Sequence, residues 1–345
     1  MPMFVRIGLA VVAALALSFA ATPAVKWLAK RIGAIDVPKD ARRVHKQPIP
    51  RLGGLAIFIG FILSVVLLAD INSQIRGILI GSVIIVIIGV IDDIVPLKAL
   101  LKLFIQILAA LVAVYHGVMI EAFSNPLVFS ASEYIFLHSL SIPITVIWIV
   151  AITNSVNLID GLDGLAVGVS TISAVVMLVI SLMASEDPNV ALIMAALTGA
   201  CLGFMPYNFN PAKIFMGDTG ALLLGYILAT MSILGLFKFY AVVSFAAPFL
   251  VLALPLFDTS FAFMRRLLHG KNPMSPDRGH FHHRLLDMGL SQKQAVVFLY
   301  IVSGVLGLAA VVIATSDEIR ALILIAALLI AAGVVFFVYK GKWKK

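Results

Sequence analysis

The chain has 345 residues, of which 62% are hydrophobic and 12% charged, against roughly 25% charged in a soluble domain. No soluble fold of this size hides so much apolar surface, so lipid is the solvent for most of it. A single cysteine, Cys201, excludes an internal disulfide framework and a cysteine-based zinc site, and the formal net charge of +8 suggests a nucleic-acid partner only until its distribution is read.

Apolar stretches predict eleven spanning helices, at about 3–25, 52–69, 76–91, 99–116, 140–157, 165–183, 190–207, 220–237, 240–261, 294–315 and 319–339. The third is short and the fifth contains Pro143. The expected fold is an all-α polytopic membrane protein whose single domain runs over residues 1–345, without repeats or interdomain linkers. With the N-terminus outside and the C-terminus cytoplasmic, 21 of the 25 Lys and Arg lie on the cytoplasmic side, leaving Arg6, Arg76, Lys238 and Arg320 on the other. That bias follows the positive-inside rule, so the net charge is topological and implies no nucleic acid. Ala-Leu-Ser-Phe-Ala-Ala in the first span resembles a cleavage region, but Lys26, Lys30 and Arg31 follow the apolar run, which retains an uncleaved helix.

In this topology the cytoplasmic loops fall at about 26–51, 92–98, 154–164, 208–219 and 262–293. The cytoplasmic ends of helices hold Asp92, Asp93, Asp160, Asp163, Asp218 and Asp258 within apolar sequence, while the outer acids are scattered. A carboxylate at membrane depth costs roughly 2.5–3.5 kcal/mol, so acids gathered at one face point to a partner or a function. Asp92-Asp93 ends the third span, against the helix dipole, and reads either as a hydrated helix end or as a pair sharing a cation. Asn157, Asp160 and Asp163 stand three apart in Asn154–Gly164 and serve either as caps or as one functional face. Asp218, between Gly217 and Gly220 and after Phe215, is an N-cap of the eighth span or a metal-phosphate ligand beside a planar base.

The longest cytoplasmic loop contains Asp277-Arg278-Gly279-His280-Phe281-His282-His283-Arg284. Three histidines suggest zinc, but the surrounding oxygen donors suit Mg2+, leaving His and Arg to receive phosphate. Asp258 is expected to pair with Arg265 or Arg266. The basic loop from Val44 through His45 and Lys46 to Gly54 reads as a contact with anionic headgroups or as a lipid-phosphate clamp.

These motifs resemble the polyprenyl-phosphate N-acetylhexosamine-1-phosphate transferases. Within them the chain is similar to the WecA/TagO branch rather than to the phospho-MurNAc-pentapeptide translocases. The resemblance runs from about Ile32 to Leu290, through Arg43-Val-His-Lys and Pro-Arg-Leu-Gly-Gly54, Gly89-Val-Ile-Asp-Asp93, Asn154–Gly164, Pro211–Gly220, Pro255-Leu-Phe-Asp-Thr259 and His280-Phe-His-His-Arg284. It implies an Mg2+-dependent enzyme, with Mn2+ as a substitute. Such an enzyme moves N-acetylglucosamine-1-phosphate from UDP-N-acetylglucosamine to undecaprenyl phosphate and releases UMP, the start of an envelope polysaccharide. The setting implied is the bacterial cytoplasmic membrane, with the active site on the cytoplasmic face and a homodimer as one arrangement.

By the same resemblance Asp93, Asn157 and Asp218 hold the metal, and Asp92 stands nearest the lipid phosphate, making Asp92 and Asp93 the catalytic pair. Asp160, Asp163, Asn208 and Phe215 lie near the nucleotide; His282, His283 and Arg284 hold pyrophosphate and sugar; His45 and Lys46 face the lipid phosphate. After Asp93 the branch commonly continues toward Leu-Ser-Ala-Lys, whereas here Leu97-Lys98-Ala99-Leu100 displaces the usual lysine to Lys98. The acceptor is itself a phosphate dianion, so direct transfer without a phospho-enzyme is the expected course. Other readings are a different UDP-N-acetylhexosamine donor, including UDP-MurNAc-pentapeptide, a lipid flippase, or a scaffold. A flippase would carry acids near mid-membrane and repeated halves.

Overall fold

The computed structural model describes residues 1–38, 47–124, 134–184, 187–235, 246–268 and 280–315. Its helices are α1 (Met3–Ile32), α2 (Gly54–Leu68), α3 (Ser73–Ile94), α4 (Ala99–Tyr115), α5 (Ser141–Ile159), α6 (Leu165–Ala184), α7 (Pro188–Asn208), α8 (Gly217–Gly235), α9 (Ala246–Val251), α10 (Ala253–Leu268), α11 (Phe281–Asp287) and α12 (Gln292–Thr315). Two small antiparallel pairs join β1 (Ile35–Asp36) to β2 (Ile49–Pro50) and β3 (Ala122–Ser124) to β4 (Tyr134–Phe136), with Ile35 opposite Pro50 and Phe123 opposite Ile135. Seven helical segments among the described residues are long and apolar enough to cross a membrane: α1, α3, α5 with the turn before it, α6, α7, α8 and α12. The protein is a mostly helical, multi-pass membrane protein.

Among the described residues helices stand at the expected places up to residue 315; the start of the ninth stretch, 240–245, and the stretch expected at 319–339 lie outside the described residues. The third span proves longer than its apolar core because Asn72 caps it, its side chain accepting from the Ile75 amide at 2.9 Å. Pro143 sits in the first turn of α5, where its missing N–H costs nothing. The expected ninth span is instead two helices, α9 and α10, separated at Leu252.

The core is built around α8, whose residues from Thr219 to Gly235 are all buried. It packs against α2, α3, α5, α6 and α7, and a helix apolar on every face belongs in that central position. The connections between the helices gather at two ends of the bundle. One end gathers Arg6, Asp70, Gln74, Gly117 and Asn189, joined by Arg6 to Asp70, Asp70 N–H to Asn189, and Gln74 to Gly117 O. The other gathers the end of α3 with the beginnings of α4, α6, α8 and α12 and the end of α7. Asp92, Asp93, Asp160, Asp163, Asp218 and Asp258 all lie at or beside this second end.

Candidate active site

The site begins where α3 meets α8. The first amides of α8 have no partner within their own helix, and Asp93 supplies it from α3. Its Oδ1 accepts from Asp218 N–H at 3.0 Å, and its Oδ2 accepts from Thr219 N–H at 3.1 Å and Thr219 Oγ1 at 2.6 Å. Gly217 makes this possible: its φ is 72°, and a Cβ there would stand 2.4 Å from Asp93 Oδ2. Arg51, entering from β2, donates to the carbonyls of Asp92 and Asp93 at 3.0 and 3.2 Å. It thereby closes the C-terminus of α3, where a cation suits the dipole.

Asp92 points elsewhere. Its Oδ1 accepts the Leu97 amide at 2.7 Å, and its Oδ2 takes the Lys102 ammonium at 3.1 Å. The same ammonium lies 2.7 Å from Asp218 Oδ2. Asn157, on the last turn of α5, lies beside the Asp218 carboxylate. One cation thus joins two acids from different helices, with an amide at its edge. The lysine is Lys102, one turn inside α4, and not Lys98, which ends the preceding loop at the cap position.

The two Asn/Asp-rich loops brace one another. Asn208 accepts from Gly164 N–H at 3.1 Å and donates to Ile214 O at 3.0 Å. Asp163 Oδ2 accepts from Asn210 at 3.0 Å and from Ala212 N–H at 2.9 Å, while Asn210 also donates to Gln292 at the start of α12. Phe215 pairs with the other side, its amide donating to Pro50 O at 2.8 Å and its carbonyl accepting from Gly53 at 2.9 Å. Among the described residues the Asp160 carboxylate alone of these acids makes no side-chain bond. Burial, followed by the charges of Asp218, Asp93 and Asp163, pushes it up to about 8. Such an acid has every electrostatic reason to accept a cation or a donor group.

The histidine segment completes this end. His282 is buried and packs over Gly161, where a Cβ would lie 2.3 Å from its Nε2. Burial first, then the neighbouring His283, pushes its imidazole down to about 3, so it is neutral at physiological pH. His283 lies 4.3 Å from it, ring centre to ring centre, and Arg284 stands over Phe261 at 4.9 Å. Asp258 does not pair with Arg265 or Arg266 as the sequence suggested. Its carboxylate takes the His280 ring and the Phe281 amide, at 2.9 and 2.7 Å, because the start of α11 meets α10 there.

The structure therefore brings Asp92, Asp93, Asn157, Asp160 and Asp218 around the α3–α8 junction, with Asp163, Asn208 and Phe215 in the loops beside it and His282 against Gly161. His45 and Lys46 lie outside the described residues. Lys102 and Arg51 escaped the sequence reading as site residues. Arg51 stood inside a quoted motif, and Lys102 could have been found from its position one helical turn after a displaced lysine. One ammonium lies between Asp92 and Asp218, while Asp93 caps α8 and stands 3.7 Å from the Arg51 guanidinium.

The fold and this site define a multi-pass membrane protein that holds a cation between acids at one end of its bundle. Residues 75–236 match the family described as glycosyl transferase family 4. Over 330 residues the chain is 40% identical to the probable undecaprenyl-phosphate N-acetylglucosaminyl 1-phosphate transferase of Bacillus subtilis (strain 168), covering 94% of this chain and 90% of that relative. It is 37% identical over 321 residues, 85% of this chain and 79% of the relative, to the decaprenyl-phosphate N-acetylglucosaminephosphotransferase of Mycolicibacterium smegmatis. It is 32% identical over 306 residues, 83% and 91%, to the undecaprenyl-phosphate alpha-N-acetylglucosaminyl 1-phosphate transferase of Thermotoga maritima. The chain belongs to glycosyl transferase family 4, and it is a phosphotransferase enzyme of that family.

Proposed function

We propose that this enzyme transfers N-acetylglucosamine-1-phosphate from UDP-N-acetylglucosamine to undecaprenyl phosphate, releasing UMP. The names of relatives covering most of the chain support the two substrates. The observation that carries the mechanism is the sharing of one ammonium by Asp92 and Asp218. Two phosphate anions repel each other, so a catalyst for this transfer must collect positive charge where they meet. A site whose acids already converge on one cation is organised for that.

The donor set fits Mg2+. Among the described residues no three His, Cys, Asp or Glu form a cage, and Mg2+ typically takes one or two carboxylates, with water and substrate phosphate filling the rest. Asp92, Asp218 and Asn157 would hold it, and Mn2+ in its place, where it would supply charge neutralisation for the phosphates. Asp93 would act through α8, fixing Asp218 by its backbone. Lys102 would turn from the acids to an entering phosphate. His282, neutral and buried, would donate or accept without carrying charge, and His283 and Arg284 would meet the donor's pyrophosphate. Asp160, with no side-chain partner among the described residues, would receive a donor group of the nucleotide.

The topology we propose has eleven spans, the N-terminus outside and this end of the bundle facing the cytoplasm of a bacterial cell, where UDP-sugars are available. It rests on the charge bias of the loops. Acids at one end, rather than at mid-bundle, count against a flippase. The test is release of UMP by purified protein in detergent, given UDP-N-acetylglucosamine and undecaprenyl phosphate. Chelation should abolish release and Mg2+ or Mn2+ should restore it. Undiminished turnover in a chelator would remove the metal, and transfer from no UDP-sugar would remove the reaction.

A further inference from the structure

The histidine segment has a support that none of the roles above uses. α11 has only seven residues, Phe281–Asp287, and its N-cap residue His280 makes no side-chain cap bond. So short a helix is not stable by itself. It packs against α12, and its N-terminus is held by polar contacts from α10. Asp258 is 3% exposed and His280 6% exposed, and their carboxylate and imidazole meet at 2.9 Å through Nδ1. The other oxygen of Asp258 takes the first amide of α11, Phe281 N–H, at 2.7 Å. One turn further along α10, Phe261 stacks on Phe281 at 6.1 Å and lies under the Arg284 guanidinium.

The chemistry of that contact is specific. A carboxylate only accepts, so His280 must present N–H at Nδ1, which leaves Nε2 as the acceptor of the neutral ring. The His280 ring lies parallel to His282, 8° apart in plane and 5.7 Å between centres. Whatever fixes His280 in rotamer and tautomer therefore also fixes the surface against which His282 rests.

We infer that Asp258 is a positioning residue for the transfer: it sets the orientation and tautomer of His280 and, through the α11 amide, the place of His282, His283 and Arg284. This rests on the reading that those three residues meet the donor. Asp258 touches no substrate in this scheme. Its loss should appear in donor use and not in acceptor use.

The experiment is a double-mutant cycle in the purified full-length enzyme, with Asp258→Asn, His280→Ala and the pair. Asn keeps the volume and one oxygen for Phe281 N–H, but it offers an amide where His280 needs an acceptor. Asp258→Asn should lower kcat/KM for UDP-N-acetylglucosamine by about 10- to 100-fold, the usual scale for a group that orients a ligand from behind. The KM for undecaprenyl phosphate should stay within about twofold of wild type in the same comparison. The double variant should be no worse than His280→Ala alone. Additive losses, or a matching rise in acceptor KM, would overturn the assignment. His280→Gln reads the same pair from the other side if Asp258→Asn fails to accumulate, and an unchanged donor kcat/KM there would equally overturn it. If wild type transfers from no UDP-sugar, the reaction reading fails separately. The cycle is then read on unfolding midpoints, where non-additive shifts support the Asp258–His280 coupling and additive ones refute it.

Discussion

The two ends of the bundle meet the same requirement in different ways. At both, helices stop and leave amides and carbonyls to be satisfied. At the end holding Arg6 and Asp70 the caps are local, Asn72 for Ile75 and Asp187 for Asn189. The longer links there run at the surface, Gln74 to Gly117 O, Asp70 N–H to Asn189 and Arg6 to Asp70. The ion pair of Arg6 with Asp70 is exposed on the Asp70 side. At the acid-bearing end the caps come from far away and are buried: Asp93 serves α8, Asp258 serves α11, and Asp163 serves the loop before α8. Stability alone needs no such arrangement, since an Asn or Ser beside each helix would suffice. Long-range carboxylate caps lock separate helices into one register, and that register is what brings Asp92 and Asp218 to a common cation.

The largest effect should come from breaking that shared cation site. Asp218→Asn and Asp92→Asn should each lower kcat by about 100- to 1,000-fold, the scale of removing one preorganised charge contact. Asp70→Asn, at the opposite end, should change turnover by less than about twofold, as expected for an exposed pair. Steady-state UMP release measures all three. Equal losses at both ends would mean that the contrast between them reflects stability and not chemistry.

A second, smaller effect separates Asp93 from its neighbour. Its carboxylate serves the first amides of α8 and the Thr219 hydroxyl, so Asp93→Ala removes a cap and strands buried donors. We expect a destabilisation of about 2–3 kcal/mol, read as a lowered unfolding midpoint in detergent. Asp92→Ala, whose partners are the Leu97 amide and an ammonium, should lose activity with a smaller change in midpoint. The reverse pattern would exchange the two roles.

Much of this was legible in the sequence because lipid restricts what a chain can do. Apolar length placed α3, α5, α6, α7 and α8 closely, and embedded acids identified the end that matters. What escaped depended on contacts between distant residues. Asp93 and Thr219 are 126 positions apart, and nothing local says that one caps the other. Lys102 reaches Asp218 across 116 positions, and only the register of α4 against α3 decides that it, rather than Lys98, turns inward. For Asp258 the local choice was an arginine about two turns along its own helix. The partner was His280, 22 positions on, because a separate helix docks there. The break of the ninth span at Leu252 does have a local signal in Pro255, which offers no N–H to the Val251 carbonyl four residues back; Ser173 donates to that carbonyl at 2.9 Å instead.

The smallest expected effect concerns pH and again distinguishes the two ends. His282 is neutral when folded, with burial and then His283 holding it down to about 3, against about 6.5 in an unfolded chain. The folded state therefore binds fewer protons than the unfolded one between those values, and stability must fall as pH is lowered through that window. From pH 7.5 to 5.5 the loss attributable to this one group is about 1 kcal/mol. At the opposite end, the Arg6 hydrogen bond and then its charge hold the Asp70 carboxyl below its usual range. That group gives up its contribution only as pH falls below the ordinary carboxylate range, so it is silent between 7.5 and 5.5. Unfolding midpoints of wild type and His282→Gln across this interval test the difference. The wild-type curve should fall more steeply toward pH 5.5, and the variant should flatten it. Asp70→Asn should leave the slope alone. Parallel curves for wild type and His282→Gln would mean that His282 carries its proton in the folded protein, and the neutral imidazole proposed for the donor's phosphates would have to be given up.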